Sequence, residues 1–343
     1  MEREISMKHI TIKDLAKKLN VSISTISRAF NDKYDIKEDT RSKILQSAKE
    51  MGYFPNPIAK KLQQQCSFQI GVVVPEFLNS FFAEVIIGIQ EVATKEGYQL
   101  LIMQSNEDAN QELANIKTLE NSMIDGLIIS LTRETKDISY LQEYINKKTP
   151  IVFFNRTNSE LKASMVVFDD YKWAFFATEH LIQQGYKKIF HLMGPKNLTL
   201  CKNRKQGFID AHRKYKLEVK PEQIIECGFF IDDGMRIVNE LIRTNNLPDA
   251  IFAVNDPSAI GAIKALKKNG YRIPEDVAIV GFTESRMADI IDPPLTSVAQ
   301  PSREMGMTTA RLLIEQINSK GQSVPKTIVI NGKLNIRQSS LKI

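Results

Sequence analysis

The sequence predicts a small all-α headpiece followed by an α/β body of doubly wound parallel sheets in two lobes. The first 66 residues contain apolar side chains at helical spacing, and they hold 13 Lys and Arg against 8 Asp and Glu. The remaining 277 residues hold 33 against 32, so nearly all the excess positive charge lies in the headpiece. From Gln69 onward, short continuous apolar runs alternate with helical patterns, which is typical of parallel strands covered on both faces.

Composition limits the class of protein. The chain has 343 residues, 43% hydrophobic and 25% charged, which is typical of a soluble globular protein with two or three domains. No apolar run approaches the roughly 20 residues that span a bilayer, and the N-terminus lacks the apolar core of a signal peptide. We therefore expect a cytoplasmic protein without a membrane partner. Three scattered cysteines and four scattered histidines show no metal-ligand spacing, so we predict reduced thiols, no metal and no cofactor.

The first two predicted helices form a tight pair. Thr11 precedes an apolar helical run and can form a capping box with Asp14. A short break at 20–22 ends this helix, and Ser22 can cap a second helix. Two short helices joined by so tight a turn are typical of a helix-turn-helix that lays its second helix in the DNA major groove. An ordinary helical hairpin is the alternative.

Two more helices are predicted before the body. A third helix covers 38–51, with Gly52 as its C-terminal stop. Pro55 then breaks the chain, Asn56 can cap, and Pro57 can begin a further helix that ends near Gln63. A helix of two turns is marginal alone in water, so it should form only against a partner.

The body is predicted as alternating strands and helices. The predicted strands are 70–74, 100–103, 126–130, 151–154, 165–168, 189–193, 250–254, 277–282, 327–330 and 333–336. The predicted helices are 81–95, 112–122, 173–184, 205–214, 232–244, 258–269 and 303–319. This repetition predicts right-handed crossovers and a doubly wound fold.

The predicted boundaries follow from changes in sequence character. Residues 1–54 form the helix-turn-helix headpiece, 55–68 the hinge helix and linker, and 69–343 the body. A polar stretch at 157–163 and a segment at 292–298 that resembles a crossing divide the body into two lobes. The first lobe is predicted at 69–158 and 298–322, and the second at 163–293 and 326–343. Ligands in such sheets lie outside the carboxyl ends of the strands.

The body contains no catalytic signature. No GxGxxG follows a strand, and GxxxxGK[ST], GxSxG and HExxH are missing from the sequence. The adjacent acids at 169–170 and 232–233 fit helix caps better than a paired-carboxylate catalytic site. We therefore do not predict an enzyme.

Several segments, in this order, resemble landmarks of the LacI/GalR-type bacterial transcriptional regulators. They are TIKDLAKKLNVSISTISRAFN, TRSKILQSAKEMGYFPNPIAKKL, IGVVVPEFLNSFFAEVIIGI, DGLIIS, AVNDPSAIGAIKAL and DPPLTSV, and they extend from about Thr11 to Ser339. The resemblance implies a repressor that binds a near-palindromic double-stranded DNA operator as a homodimer. It also implies a body similar to periplasmic sugar-binding proteins, with a carbohydrate-derived effector between the lobes.

The resemblance implies specific DNA contacts. By position in the second helix, Ile23, Ser24 and Arg28 would face base edges, and Arg can bind guanine in a bidentate manner. The positions implied to hold phosphates are Thr11, Ile12, Thr25, Ser27, Asn31 and Thr40. Asn56, Ala59 and Leu62 match the family's hinge helix, in which Leu62 would enter the minor groove and kink the central base step.

The resemblance also implies an effector site in the cleft. The matching positions are Asn79, Phe81, Phe82, Arg204, Phe230, Asn255, Thr283 and Glu284. This chain departs from its sugar-binding relatives, because Thr283 stands where an acidic residue usually holds two sugar hydroxyls. Two hypotheses remain open: Glu284 substitutes for that residue, or Arg204 pairs with an acidic or phosphorylated ligand. The three phenylalanines could instead belong to the core.

Alternative functions remain open as well. One is a regulator gated mainly by a partner protein, with the cleft little used. The other is a sugar-binding or sugar-processing protein with an accessory helical domain. The sequence leaves open whether the ligand releases or recruits DNA, and whether the assembly is a dimer or a tetramer.

Overall fold

The computed structural model describes residues 10–30, 36–54, 66–147, 149–319 and 322–342. Its contacts divide the chain into two compact units, one ending at Ser67 and one beginning at Phe68. We refer to them as the headpiece and the body, and each is described separately.

The headpiece contains the helices α1 (Ile12–Leu19), α2 (Ile23–Phe30) and α3 (Glu38–Met51). Its core is small and drawn from all three helices: the buried side chains are Leu15, Ala16, Ile26, Ala29, Ile44, Ala48 and Tyr53. The ring of Phe30 packs edge-on against Tyr53 with centroids 5.7 Å apart. Gly52 ends α3 at φ 67°, the left-handed conformation that glycine adopts without steric cost.

The first lobe of the body is built on a six-stranded parallel sheet in the order β11-β5-β4-β3-β1-β2. Its strands are β1 (Gln69–Val74), β2 (Gln99–Gln104), β3 (Gly126–Ile129), β4 (Ile151–Phe154), β5 (Ser164–Phe168) and β11 (Thr327–Ile330). The helices of this lobe are α4 (Ser80–Lys95), α5 (Ala109–Asn121), α6 (Ser139–Asn146) and α11 (Ser302–Asn318).

The second lobe has a six-stranded sheet in the order β12-β10-β9-β8-β6-β7, parallel except for the edge strand β12. Its strands are β6 (Ile189–Met193), β7 (Ile224–Glu226), β8 (Ala250–Ala253), β9 (Ala278–Thr283), β10 (Thr296–Ala299) and β12 (Lys333–Asn335). Its helices are α7 (Asp170–Gln183), α8 (Thr199–Lys214), α9 (Ile231–Arg243) and α10 (Asp256–Lys268), with 3-10 turns at Pro221–Gln223 and Gln338–Ser340.

The predicted division into lobes is wrong at three strands. Strands β5 and β11 pair with each other in the first sheet, whereas the prediction assigned both to the second lobe. Strand β10 belongs to the second sheet, although its segment was interpreted as a crossing that leads into the first lobe. The chain passes between lobes after β5, after β10 and between β11 and β12. Apolar runs such as MVVF and TIVI predict strands, but which sheet they join depends on distant partners.

Two elements escaped prediction for a local reason. Helix α6 is only eight residues long, and the sequence before it is polar. Strand β7 is three residues long at the edge of its sheet, with no fully buried residue. Helix α6 buries Leu141 and Tyr144 at helical spacing, but two turns are too short for a clear periodic pattern, and β7 buries too little apolar surface for one.

Candidate functional site

Local caps fix the geometry of the helix-turn-helix. Thr11 and Asp14 form the predicted capping box: the Asp14 amide donates to Thr11 Oγ1 at 3.3 Å, and the Thr11 amide donates to Asp14 Oδ2 at 2.9 Å. Asn20 ends α1 in the left-handed conformation at φ 51°. Ser22 then accepts the Thr25 amide at 3.1 Å, so it caps α2 as predicted. These bonds within α1 and α2 fix where the second helix begins.

Helix α2 has one buried face and one exposed face. Ile26 and Ala29 are fully buried, whereas Ile23 is 45% exposed and Ser24 and Arg28 are also exposed. The three residues predicted to face base edges therefore lie on the solvent side of the helix. Single exposed apolar residues are ordinary on protein surfaces, so the exposure of Ile23 makes it accessible to a partner without requiring one.

The predicted phosphate-binding residues that the structure describes lie at the start of α1, in α2 and in α3. Thr11 is exposed, and Ile12, Thr25, Ser27 and Thr40 are half-buried. The hydroxyls of Thr25 and Ser22 lie 2.8 Å apart. Asn31 and the hinge residues Asn56, Ala59 and Leu62 lie outside the described residues. The individual DNA contacts remain predictions.

The body contains a narrow cavity between its two lobes, with about 30 Å³ of space. The lining residues follow the carboxyl ends of strands from both sheets or begin the next helices: Asn79, Phe81, Phe82, Asn155, Arg156, Leu200, Arg204, Phe229, Asn255, Thr283 and Gln300. This is the place where open parallel sheets bind ligands. Six of the eight residues predicted for the effector site line it.

The two predicted residues that do not line this cavity are Phe230 and Glu284. Phe229 lines it and is 9% exposed, whereas Phe230 is 39% exposed; neighbouring residues in extended chain point to opposite sides. Glu284 turns towards Arg337, whose Nη2 lies 2.6 Å from its Oε1, and it also accepts a bond from Asn335. Glu284 nevertheless lines the adjoining, more open part of the cleft together with Phe81 and Gln300. Its contact with a ligand stays a prediction.

Arg204 is bound to other protein groups. Its Nε and Nη2 donate to Asp170 Oδ1 at 2.8 and 2.7 Å, and its Nη1 donates to the Val254 carbonyl. Its guanidinium lies 3.7 Å from the centre of the Phe282 ring. Burial raises the pKa of Asp170, and the charge of Arg204 opposes that shift. Because its carboxylate partner is already in place, Arg204 is not a free cation for an acidic ligand, contrary to the second hypothesis.

Sequence analysis missed Arg156, which reaches both lobes. Its guanidinium lies 5.6 Å from the ring centre of Phe82 and 5.0 Å from that of Phe229. Its Nη1 donates to both carboxylate oxygens of Glu107, at 2.7 and 2.9 Å. The sequence contains a signal for this residue, because Asn155 and Arg156 directly follow the apolar run 151–154, at the carboxyl end of a predicted strand.

A strained turn forms another wall of the cavity. Thr283 and Glu284 have φ values of 84° and 50°, which L residues rarely adopt. Asp256 holds this turn by accepting the Ser285 amide at 2.5 Å and the Ser297 hydroxyl at 2.6 Å. Burial raises the pKa of Asp256 to about 7. Gln300, also missed from sequence, follows β10 and completes the wall.

Comparison with known proteins identifies the family. Residues 67–338 match the profile of periplasmic binding proteins and the sugar binding domain of the LacI family, and residues 11–56 match that of the bacterial regulatory proteins of the lacI family. The chain belongs to the LacI family. It is a DNA-binding transcriptional regulator rather than an enzyme, and both the predicted resemblance and the predicted fold class are confirmed.

Individual LacI-family proteins are similar over most of the chain. The HTH-type transcriptional repressor CytR of Escherichia coli strain K12 is 34% identical over 314 residues, 92% of this chain and 91% of that protein. The structure of the transcriptional regulator CelR–cellobiose complex has a TM-score of 0.73 at 27% identity, covering 96% of this chain and 99% of that one. The lac repressor dimer bound to operator and the anti-inducer ONPF has a TM-score of 0.86 at 22% identity, covering 98% and 100%, and shares the fold.

None of the helices in the described part of the chain combines the length and the apolar character needed to cross a bilayer.

Proposed function

We propose that this LacI-family regulator is a repressor that binds a near-palindromic operator as a homodimer and is controlled by a small ligand in the interlobe cleft. The DNA-binding part of this proposal rests on the amphipathic helix α2. Its Ile26 and Ala29 are buried in the core, while Ile23, Ser24 and Arg28 lie on its exposed face. The excess positive charge of the headpiece favours a polyanionic partner. A cytoplasmic location at the nucleoid follows from this proposal.

On this proposal, Ile23, Ser24 and Arg28 read bases, and the hydroxyls and amides around them hold phosphates. Ile23 offers only apolar contact, which fits a thymine methyl group, and Arg28 can bind guanine through two hydrogen bonds. The phosphate set is Thr11, Ile12, Thr25, Ser27, Asn31 and Thr40. Such contacts fix the register of a protein on DNA without reading sequence.

The first experiment separates base contacts from phosphate contacts. Mobility-shift titrations against a library of operator variants would compare Arg28→Ala with Thr40→Ala. We expect Arg28→Ala to lose about 1–3 kcal/mol of discrimination at one base pair in each half-site. Thr40→Ala should weaken all operators alike. Repeating the titrations at higher salt should leave one preferred operator, and an equal loss at every sequence from both variants would contradict the assignment.

The hinge proposal concerns Asn56, Ala59 and Leu62. Paired across the dimer, these segments would form helices on the minor groove, with the Leu62 side chains entering a base step. Leu62→Ala should weaken specific binding and reduce DNA bending, with Leu62→Met as a control that retains an apolar side chain. Bending equal to that of the wild type in Leu62→Ala would exclude the wedge.

The cleft is proposed as the control element. A ligand that binds the closed arrangement of the lobes better than the open one shifts the population between them, and the hinge responds to that shift. The aromatic rings and amide groups at the carboxyl ends of both sheets support a ligand site. A regulator gated by a partner protein is the second candidate. Calorimetric titration with sugars and related small molecules distinguishes them, because binding in the cleft argues against control by a protein alone.

A further inference from the structure

The positive charge of the body is concentrated in one helix and the segments on either side of it. Residues 196–220 hold 8 Lys and Arg against 2 Asp and Glu, a balance of +6. The body from residue 67 onward holds 33 against 32, so the rest of the body holds 25 against 30 and is acidic. Helix α8 lies at the centre of this basic segment.

The basic side chains form a stripe along one face of α8. Lys202, Lys205 and Arg213 share that face, because residues separated by whole helical turns lie above one another. Lys216 follows two residues after the helix and lines a shallow surface depression together with Ile209 and Arg213. Lys205 is half-buried and the other three cations are exposed. We refer to the four cations as the α8 stripe; at 1.5 Å per residue it is roughly 20 Å long.

Few acidic side chains compensate the α8 stripe. Asp210 lies on the same helix, and its Oδ1 is 2.5 Å from Arg213 Nη1. Among the residues that the structure describes, no carboxylate pairs with the three lysines of the stripe. Glu218 is exposed and lines the depression next to Lys216, without an ion pair to it. The stripe therefore carries excess positive charge on its surface.

Helix α9 shows how another surface helix of the same lobe is compensated. Its Arg236 lies 3.8 Å from Asp233, and its Arg243 lies 2.5 Å from Glu240, each one turn apart. Such pairs are typical of a helix face that meets only water. The α8 stripe instead places lysines next to one another at helical spacing, which is slightly unfavourable until an anion lies against them.

The side chains around the stripe favour nucleic acid over protein as the anionic partner. Lysine is depleted in protein–protein interfaces, whereas Lys, Asn and Gln often bind phosphates. Asn203 and Gln206 are exposed beside the lysines. The depression offers little apolar surface, because Ile209 and Val219 are half-buried and Leu217 is 37% exposed. A protein partner would find no large apolar anchor point there.

We propose that the α8 stripe is a second DNA-binding surface, which holds the phosphates of a duplex segment other than the one bound by the headpiece. A length of roughly 20 Å matches about six base pairs at 3.4 Å each. Contacts to phosphates alone do not read sequence, so this binding is independent of sequence and sensitive to salt. A protein already held on DNA meets other segments of that molecule at a raised effective concentration. The body would thus bridge two segments of duplex.

The test is a capture experiment with the full-length protein. The protein is loaded onto a bead-bound duplex that carries an operator selected from a random library, and a labelled duplex without that operator is then added. We expect the wild type to capture the labelled duplex at low salt. Lys202→Gln/Lys205→Gln/Lys216→Gln should weaken capture at least about tenfold. It should also lower the slope of log affinity against log salt by about 2–3, since each phosphate contact contributes about 0.9.

Two further variants control for total charge and for folding. Lys95→Gln/Lys117→Gln/Lys268→Gln removes the same charge from exposed lysines elsewhere on the body and should leave capture unchanged. Replacing the three stripe lysines by arginine retains the charge and should retain capture. Equal capture by every variant, an equal loss in both glutamine triples, or no capture by the wild type would each overturn the proposal.

Mobility shifts with the operator duplex alone separate the stripe from the headpiece. The glutamine triple of the stripe should bind that duplex as tightly as the wild type does, and a loss there would assign its lysines to operator binding instead. Polyglutamate that binds in a stripe-dependent manner, without capture of the labelled duplex, would identify an acidic protein as the partner and refute DNA. If the protein selects no operator, the proposed function fails, and capture between two random-sequence duplexes still tests the stripe.

Discussion

On α2 of the headpiece, Ser24 and Arg28 lie on the surface, and the helix packs on a core that comprises seven buried side chains among the described residues. In the interlobe cleft, by contrast, Arg204 is 2% exposed and bound to a carboxylate that is itself 5% exposed. Both regions are predicted binding sites, and both contain arginine. Arg28 is accessible at the surface, whereas Arg204 is a buried part of the packing between the elements of the body.

The contrast shows that a residue type at a matching position does not define its role. The exposed side chains of α2 are accessible to a partner at the surface. In the cleft, by contrast, Arg156 and Arg204 each bind a buried carboxylate of the protein. Substitutions in the two regions should therefore affect stability and binding in different proportions.

The largest expected effect is at the buried ion pair. Arg204→Met leaves the Asp170 carboxylate buried without its partner, and we expect the body to lose about 3–5 kcal/mol of unfolding free energy. The double variant Arg204→Met/Asp170→Leu removes both charges and should recover most of that loss. Urea unfolding of the three proteins measures this. A stable single variant that loses only ligand affinity would show that Arg204 acts mainly on the ligand.

The next effect concerns the headpiece core. Ile26→Ala removes a fully buried side chain and should cost about 2–5 kcal/mol, a large share of the stability of so small a domain. Operator binding should disappear, while the thermal transition of the body and its ligand affinity remain. The exposed Ile23→Ala is the matched control and should leave both melts unchanged. A shift in the body's melt caused by Ile26→Ala would indicate that the two units unfold together.

The strained turn predicts a pH dependence. The pKa of Asp256 is about 7 in the folded body, whereas an unfolded aspartate has a pKa of about 3.9. Between these two pH values the folded state keeps the carboxyl proton that the unfolded state has lost. The contribution of Asp256 to the free energy of unfolding is therefore largest below about pH 4. It falls by at most about 4 kcal/mol as pH rises towards 7. Asp256→Asn should flatten that part of the stability profile. The exposed Asp292→Asn is the control, and parallel profiles for the wild type and Asp256→Asn would refute the assignment.

The smallest effect is expected at the rim of the cleft. Arg286 Nη2 lies 2.5 Å from Glu84 Oε1 and joins the two lobes, but the arginine side chain is 80% exposed. Arg286→Ala should change stability by no more than about 1 kcal/mol, and high salt should reduce the difference further. Salt-dependent melts of wild type and variant provide the measurement. A loss of stability as large as that expected for Arg204→Met would show that the Arg286–Glu84 pair is the main interaction that holds the two lobes together.

Several features of the fold were predictable because they depend on near neighbours in sequence. The Thr11–Asp14 capping box lies within one helical turn, and the continuous apolar run 70–74 predicts a strand buried on both faces. The assignment of β5 and β11 to the second lobe was wrong because strand pairing joins residues more than 150 positions apart. Likewise, the choice between Phe229 and Phe230 depends on how the chain leaves a three-residue edge strand.

The sequence alone determined the caps, the helical and strand segments, the concentration of positive charge in the headpiece and the family. Each depends on residues within a few positions of one another, or on a pattern that can be read along the chain. Only the tertiary structure decided how the charges of the cleft are paired, because Arg204 and Asp170 are 34 residues apart and Arg156 and Glu107 are 49 apart. Burial makes those pairings costly to break, and they determine which groups of the cavity are left for a ligand.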